Sequence, residues 1–320
     1  MTACPRDPFD HPALLYRDAE EYLAGTLPFI TDGLAADEPV AVSVPGTNLR
    51  LLRGALGADA GRVLLHDMSV VGRNPGRIIP GVLLAFADAH PGRRIRIIGE
   101  PIWVSRSRDE YPACVQHEAL INTAFAGRDA AILCPYDAAA LPPAWIGHAE
   151  RTHPTIVTAT RRWDSPRFAD PVAVAADFNE PLPDPPPRAA RIRVGLDNLP
   201  EIRSFVVAEA GAAGLRRDQA VDLMIAVNEL AANTVEHAGG GGDLAVWTES
   251  EHLICQLRDE GHIKDPMAGR LPVPADHPDG GRGLLLVHRL CDLVRIYTTP
   301  EGTTIRVHVR CPVPEERDQR

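Results

Sequence analysis

The sequence predicts a two-domain α/β protein, and three observations lead to this prediction. The chain has 320 residues, about twice the ~150 residues of a common domain. Residues 166–187 contain seven prolines, which exclude a helix interior or a central strand. Strand and helix patterns alternate before this segment, whereas strands follow one another in runs after it. We therefore predict domains over 1–165 and 188–312, a proline-rich linker over 166–187 that proteases cut readily, and a tail over 313–320.

The N-terminal domain alternates short apolar strands with amphipathic helices. Predicted strands cover 13–16, 40–44, 62–66, 94–98 and 130–134. Predicted helices cover 18–34, 74–89 and 109–125. The second helix begins at Asn74 and Pro75, because asparagine caps the free N–H groups of a helix and proline suits its first position. This alternation predicts a mostly parallel α/β sheet with helices on both faces.

The C-terminal domain has a different order of elements. A strand over 190–196 is followed by helices over 198–213 and 218–239, with Asp218 as the cap of the second. Strands over 243–248 and 252–258, a glycine- and proline-rich stretch over 261–283, a helix over 284–290 and strands over 294–298 and 304–309 complete the domain. Runs of strands of this kind predict an α+β sandwich.

Composition excludes several classes of protein. The 33 basic and 43 acidic residues leave a net charge of −10, which argues against direct binding to nucleic acid. No apolar run approaches the ~20 residues of a membrane-spanning helix, and Met1 to Asp10 lack the apolar core of a signal peptide. Six scattered cysteines form no C-x-x-C pair, which argues against a disulfide framework. We therefore expect a cytoplasmic protein with no membrane partner.

Four separated segments of the C-terminal domain carry residues suited to a nucleotide. Glu229, Asn233 and His237 follow one stripe of a helix, because four residues advance only about 40° beyond a full turn. The plain alternative is a solvent-facing stripe, and a histidine at a helix end is usually structural. The other three segments are Asp259 with Gly261 after a strand, Gly281 with Gly283 before a helix, and Thr303 with Thr304 in the last strand. Glycine N–H groups at a helix start suit phosphate.

In this order and spacing, the four segments resemble the GHKL ATPase superfamily, whose domain is the Bergerat fold. The run from Asn228 to Ala238 looks most like the bacterial anti-sigma-factor serine/threonine kinases. The resemblance implies that ATP and Mg²⁺ are the cofactors, that a sigma factor and an anti-sigma-factor antagonist protein are the partners, and that the chain forms a homodimer. It also implies that the antagonist is phosphorylated on a serine or threonine.

The resemblance assigns a role to each matching residue. It implies that Glu229 accepts the proton of the attacking hydroxyl, that Asn233 coordinates Mg²⁺ and that Asp259 selects adenine. The remaining nucleotide-binding residues that it implies are Gly261, Gly281, Gly283 and either Thr303 or Thr304.

Two departures from the family pattern bear on phosphoryl transfer. Many relatives carry an arginine where this chain has Asp279, and Arg282 is the alternative contact to the γ-phosphate. Ile263 replaces a family glycine. A binding-only ATP-dependent switch is therefore the second hypothesis. A sensor histidine kinase is the third hypothesis. It requires a helical hairpin with an exposed histidine, and between the domains there is only His153, which Pro154 follows at once.

The N-terminal domain resembles the sensory domain of regulators from methanogens and methylotrophs, termed MEDS. The matching pieces are His11 with Tyr16, the strand that ends at Glu100, the helix with Glu118 and Asn122, and the run that begins at Cys134. The resemblance implies a degenerate RecA-like sheet and a small organic ligand. The turn over 45–48 agrees with the degeneracy, because it lacks the G-K-[ST] sequence of a phosphate loop.

His11, Glu100 and Glu118 are the candidates for a sensor pocket at strand ends. The alternative is that Glu100 is paired locally and that His11 only begins a strand. A metal site among His11, His117, Glu118 and Cys134 is a further alternative, but no pair has zinc-like spacing.

Overall fold

The computed structural model describes residues 8–239, 241–272 and 281–312, and the chain divides into two compact units. The first unit is Met1–Phe178 and the second is Asn179–Arg320. The predicted tail over 313–320, Cys4, Asp279 and most of the stretch around Asp279 lie outside the described residues. None of the described helices combines the length and the apolarity that crossing a bilayer requires.

A seven-stranded sheet forms the centre of the first unit. Its strands are β1 (Pro12–Tyr16), β2 (Val40–Val44), β3 (Leu64–Asp67), β4 (Ile95–Gly99), β5 (Ala130–Asp137), β6 (Thr155–Val157) and β7 (Arg162–Asp164). Their order is β3-β2-β4-β5-β1-β6-β7, and every neighbouring pair is parallel except β6 with β7. All five residues of β2 are buried, as expected for a parallel sheet covered on both faces. The predicted mostly parallel α/β sheet is confirmed.

Seven α-helices accompany this sheet in the part of the unit that the structure describes. They are α1 (Ala19–Ala35), α2 (Gly46–Leu56), α3 (Met68–Val71), α4 (Ala85–Asp88), α5 (Tyr111–Ala124), α6 (Pro143–Thr152) and α7 (Pro171–Asp177). Helix α5 is buried over ten of its residues, so its polar side chains lie inside the unit. The helix predicted over 74–89 consists instead of a 3₁₀ turn, a π segment and α4. Pro80 lies in the π segment and has no N–H to donate to a regular α-helical bond.

Residues 166–187 are predicted as a proline-rich linker, but they contain a helix. Helix α7 lies within them, with Asp170 as its N-cap and with Val174 buried. Gln116 of α5 donates to the carbonyls of Ala175 and Phe178, both at 3.2 Å. Proline at the first position of α7 begins a helix rather than interrupting one, because its missing N–H would be unpaired there in any case.

The second unit has a five-stranded antiparallel sheet with helices on one face. The strands are β8 (Ala190–Gly195), β9 (Gly241–Glu249), β10 (His252–Asp259), β11 (Leu293–Thr299) and β12 (Gly302–Arg310), in the order β11-β12-β10-β9-β8. The helices are α8 (Leu199–Ala212), α9 (Arg217–His237) and α10 (Gly283–Leu290). The predicted α+β sandwich is confirmed.

Alternation along β9 separates the two faces of this sheet. Leu244 and Val246 join the core that the helices cover, whereas Ala245 and Trp247 pack on the opposite face. Helix α9 begins one residue before the predicted cap, so Asp218 lies in its first turn, where it pairs with Arg216 at 3.2 Å.

Candidate functional site

A cavity of about 410 Å³ lies in the second unit between the helices and the ends of the central strands. Helix α9 contributes Asn233 and His237, the end of β10 contributes Asp259, and β12 contributes Thr303. The remaining predicted residues that line it are Gly261, Gly281 and Gly283. Four segments that are distant in sequence therefore meet at one concave site of the size that small ligands occupy.

Asp259 is held from two sides at the wall of this cavity. The hydroxyl of Thr234 on α9 donates to Oδ2 at 2.6 Å, and the N–H of Gly261 donates to Oδ1 at 2.9 Å. A carboxylate offers about four lone-pair positions, so two acceptor positions remain. The fixed carboxylate can therefore accept a hydrogen bond from an amino group in the cavity, and the exocyclic amine of adenine is such a group.

Two threonines hold the backbone beside Asp259. The hydroxyl of Thr303 donates to the carbonyl of Gly261 at 2.8 Å and lies 2.7 Å from the hydroxyl of Thr298. Thr298 in turn accepts from the N–H of Ile263 at 3.0 Å. Thr303 lines the cavity, whereas Thr304 does not belong to its lining. Neighbouring residues of a strand face opposite sides, so only one of the two predicted threonines can serve this site.

Glu229 and Asn233 meet the first residue of α10. An ideal Cβ on Gly283 would lie 3.0 Å from Glu229 Oε2 and 3.2 Å from Asn233 Nδ2. Any side chain at this position would therefore displace one of these two groups. Glu229 is half-buried and stands beside the cavity rather than in its lining. The arrangement leaves a carboxylate and an amide next to the start of a helix, where backbone N–H groups attract an anion.

The second glycine segment differs from the prediction at one residue. Gly281 lines the cavity with a φ of 67°, a conformation that glycine adopts without strain. Arg282 is exposed and does not belong to the lining of the cavity. Asp279 lies outside the described residues, so the glycine- and proline-rich stretch over 261–283 is described only over 261–272 and 281–283.

Sequence reasoning missed Thr234 and Thr298 as parts of this site. The sequence places Thr234 in the apolar stripe of α9, and it is indeed buried at 1% exposure. One buried hydroxyl in an apolar stripe needs a partner, and this requirement was the available signal. No local signal marks Thr298.

A second group of chemically interesting residues lies deep inside the first unit. His11, Glu118, Cys134 and His153 are each at most 1% exposed. Glu118 Oε2 lies 3.5 Å from His11 Nε2 and 3.2 Å from His153 Nε2, and Cys134 Sγ lies 3.4 Å from His11 Nε2. We call these four residues the histidine cluster.

Burial controls the protonation of the histidine cluster. It lowers the pKa of His11, with a further contribution from His153, and it raises the pKa of the Cys134 thiol. Burial also opposes a charge on Glu118, and the pKa of Glu118 falls below its usual range only where His11 and His153 donate to it through Nε2. The charge of Glu118 therefore depends on which ring nitrogens of its neighbours carry hydrogen.

Glu100 lies in a different environment, at the carboxyl ends of the parallel strands. Its carboxylate accepts from the hydroxyl of Tyr16 at 3.1 Å and from the amide of Asn48 at 3.0 and 2.9 Å. Tyr16 ends β1 and Asn48 lies in α2, at the turn where a phosphate loop would carry its lysine. Burial raises the pKa of Glu100 to about 8.

The three predicted sensor residues therefore do not share one set of contacts. His11 and Glu118 contact each other, and Glu100 contacts Tyr16 and Asn48. Two cavities of about 400 and 390 Å³ in this unit are lined by other residues. Residues from four separate segments build the histidine cluster, so sequence spacing carried no signal of it.

Family comparisons identify both units. Residues 10–154 match the family described as MEDS, the methanogen/methylotroph DcmR sensory domain. Residues 192–309 match the histidine kinase-like ATPase domain. The chain therefore carries a MEDS domain followed by a GHKL-like ATPase domain, as the sequence motifs predict. The comparison with curated proteins finds no match.

Several solved structures resemble parts of this chain at low sequence identity. The RsbU and RsbW domains of a Mycobacterium tuberculosis protein are 18% identical over 40% of this chain and 34% of theirs, with a TM-score of 0.31. The histidine kinase domain of the Escherichia coli osmosensor EnvZ is 18% identical over 40% of this chain and 93% of its own, with a TM-score of 0.25. The Acinetobacter baumannii histidine kinase AdeS is 10% identical over 63% of this chain and 96% of its own, with a TM-score of 0.24. This chain spans about a third of the mycobacterial protein.

Proposed function

Because the chain carries a MEDS domain and a histidine kinase-like ATPase domain, we propose that it is an ATP-dependent regulator of the anti-sigma type. In this proposal it binds a sigma factor and phosphorylates a serine or threonine of an anti-sigma-factor antagonist. The N-terminal domain controls this output in response to a small molecule. The proposal further includes a cytoplasmic location and a homodimer.

One observation carries the proposal for the second unit. The cavity gathers Asn233, Asp259, Gly261, Gly283 and Thr303 from segments that are far apart in sequence, and these are the residues that the family motif selects. The chemistry of these residues also suits ATP with Mg²⁺. A doubly supported carboxylate suits the adenine amine, an amide oxygen suits Mg²⁺, and the start of α10 suits phosphate.

Each residue then has a separate task. Asp259 orients the base, Asn233 holds Mg²⁺ through its amide oxygen, and the glycine segments bring backbone N–H groups to the phosphates. Glu229, which stands next to Gly283, accepts the proton of the hydroxyl that is to be phosphorylated. ATP supplies the phosphoryl group when it is bound.

The proposal is tested by incubating the full chain with γ-labelled ATP, Mg²⁺ and the candidate antagonist proteins encoded beside it. We expect label on a serine or threonine of one antagonist. Glu229→Gln should retain ATP but lower the transfer rate by about 10²–10⁴-fold, because a general base acts on the transfer step. Glu236→Gln is the matched control, since Glu236 lies further along the same helix and is exposed.

Two outcomes would contradict parts of the proposal. If Glu229→Gln transfers phosphate at the parent rate, Glu229 is not the base. If ATP binds but no antagonist is labelled, the chain is a binding-only switch, a hypothesis favoured by the exposure of Arg282 outside the cavity lining. A sensor histidine kinase is disfavoured, because His153 has no exposed surface.

A further inference from the structure

The histidine cluster joins four segments of the MEDS domain at one buried point. His11 precedes β1, Glu118 lies on α5, Cys134 lies on β5 and His153 connects α6 to β6. One ligand-type atom from each residue lies within 4.8 Å of the other three. Whether these four atoms can act as metal ligands depends on which of them carry hydrogen.

Hydrogen bonds to the outer side of each imidazole assign its tautomer. His153 Nδ1 lies 2.9 Å from the hydroxyl of Thr152, which can donate or accept, and 2.9 Å from the carbonyl oxygen of Ala149, which can only accept, so Nδ1 carries the hydrogen. His11 Nδ1 lies 3.1 Å from Asn122 Oδ1. The amide nitrogen of Asn122 is turned toward the carbonyl of Thr152 at 2.8 Å, which leaves Oδ1 as the acceptor for His11.

Both Nε2 atoms therefore present lone pairs toward the Glu118 carboxylate. Neither carboxylate oxygen has a hydrogen-bond partner, and neither has His153 Nε2. With Glu118 ionised, the Cys134 thiol offers the one hydrogen among the four facing atoms, and it is a weak donor. Buried acceptors that converge without a donor are costly, and a cation at their centre removes this cost.

Three of the six separations among the four atoms are close to those of tetrahedral coordination, and the other three are at most 4.8 Å. Ligand bonds of about 2.0–2.3 Å in a zinc site place neighbouring ligand atoms roughly 3.3–3.8 Å apart. The contacts of Glu118 with the two histidines and of Cys134 with His11 measure 3.5, 3.2 and 3.4 Å. Histidines that bind a metal usually donate the N–H of their other ring nitrogen to a carbonyl or carboxylate oxygen, and His11 and His153 both do so to an oxygen acceptor here.

We propose that His11, Glu118, Cys134 and His153 bind one Zn²⁺ ion in a closed structural site. Two imidazoles, one thiolate and one carboxylate suit a borderline divalent transition metal rather than Mg²⁺ or Ca²⁺, which prefer oxygen ligands alone. The metal ties the strand starts of β1 and β6 to α5 and β5. Binding releases the thiol proton to solvent, and Cys134 ligates as the thiolate.

The test uses the full chain purified without a histidine tag and dialysed against metal-free buffer. Elemental analysis should find about one zinc per chain. Protein produced with cobalt in place of zinc should show the d–d absorption of tetrahedral Co²⁺ and a near-ultraviolet thiolate-to-cobalt band. Cys134→Ser should lose the thiolate band and bind the metal at least about 100-fold more weakly, because even outer-shell partners affect affinity by roughly 10–100-fold.

Cys114→Ser is the matched control, since Cys114 is also buried in this unit but does not belong to the cluster. It should keep both the metal and the thiolate band. Two results would overturn the proposal. One is the absence of stoichiometric metal both in the purified chain and after refolding with one equivalent of Zn²⁺, which would leave a buried histidine–glutamate ion pair. The other is a Cys134→Ser protein with an unchanged cobalt spectrum. Neither readout depends on ATP binding or kinase activity.

Discussion

Asp259 and Glu118 are both carboxylates at sites that bring distant segments together, but their surroundings differ. Asp259 is partly exposed at a cavity, and the protein supplies a donor to each of its oxygens. Glu118 has no exposed surface and faces two imidazole nitrogens and a thiol. A carboxylate with spare acceptor positions at an open wall can recognise a ligand that comes and goes. A buried carboxylate among other acceptors needs a partner that is part of the folded unit.

Among substitutions at the cavity of the second unit, Asp259→Asn is expected to lower ATP affinity most. The amide offers its N–H₂ to one of the two donors that now hold Asp259, and it loses the charge-assisted bond to an adenine amine. We expect ATP affinity to fall by about 10–100-fold, since hydrogen bonds to charged groups contribute roughly 1.5–3 kcal/mol. Calorimetry on the full chain measures this change.

Asp265→Asn is the control for this substitution, because Asp265 lines the same cavity and its Oδ1 accepts from the N–H of Met267 at 2.8 Å. Asparagine keeps that acceptor, so affinity should change little. Equal losses in both variants would mean that Asp259 has no special role in recognising the base.

The buried carboxylate of Glu100 should make the stability of the chain depend on pH. The pKa of Glu100 is about 8 in the folded chain, against an ordinary value of 4.5. Between these values the folded state holds a proton that the unfolded state has lost, so stability decreases as pH rises through this window. The slope reaches about 1.4 kcal/mol per pH unit and vanishes above the folded pKa.

Glu100→Gln removes this titration while keeping the shape of the protonated side chain. The free energy of unfolding of the parent should therefore fall by about 2–3 kcal/mol more than that of the variant as the pH rises from roughly 5.5 to 7.5. Denaturant titrations at the two pH values give the comparison. Glu150→Gln, at a surface pair with Arg167, is the control. Parallel pH curves for parent and Glu100→Gln would show that Glu100 ionises normally.

Thr234→Val tests how much the support of Asp259 matters. Valine fills the same buried space but cannot donate to Asp259 Oδ2. One neutral donor contributes about 1 kcal/mol, so ATP affinity should fall by roughly fivefold, less than in Asp259→Asn. Binding curves of the single variants and of the double variant show whether the two residues act together. Additive losses would mean that Thr234 does not work through Asp259.

The smallest change in ATP affinity is expected when the first unit is removed. A fragment from Asn179 onward contains the whole second unit and should bind ATP within about twofold of the full chain, since every residue of the cavity is retained. It should carry no zinc. Loss of ATP binding in a folded fragment would show that the two units do not function separately.

A fragment from Arg188 onward sharpens the domain boundary. It lacks Asn179, whose amide bonds both backbone groups of Thr298 at 2.7 and 3.0 Å, and Pro183, whose carbonyl accepts from Arg306. Its melting temperature should be roughly 5–10 °C lower than that of the longer fragment, since each lost bond contributes about 1 kcal/mol. Equal melting temperatures would restore the boundary at residue 188 that the sequence predicts.

Local patterns in the sequence predicted most of the elements and the open site. The strands from β1 to β5 and all five strands of the second unit were predicted within a few residues, because alternation and apolar runs are local. Strands β6 and β7 and the short helix α3 were missed, as were three longer helices, α2, α6 and α7. Each begins next to a proline or glycine, which sequence reasoning reads as an end, although proline at the first turn equally begins a helix.

The sequence by itself determined the two fold classes and the nucleotide motif, because hydrophobic period and the order of short motifs are properties of neighbouring residues. Only the tertiary structure decided which groups face each other. It selected Thr303 over Thr304, gave Asp259 its donor from Thr234, separated Glu100 from His11 and enclosed His153 with Glu118. These pairings join residues that are close only after the sheet has ordered its strands, and the cost of burying a polar group depends on those partners.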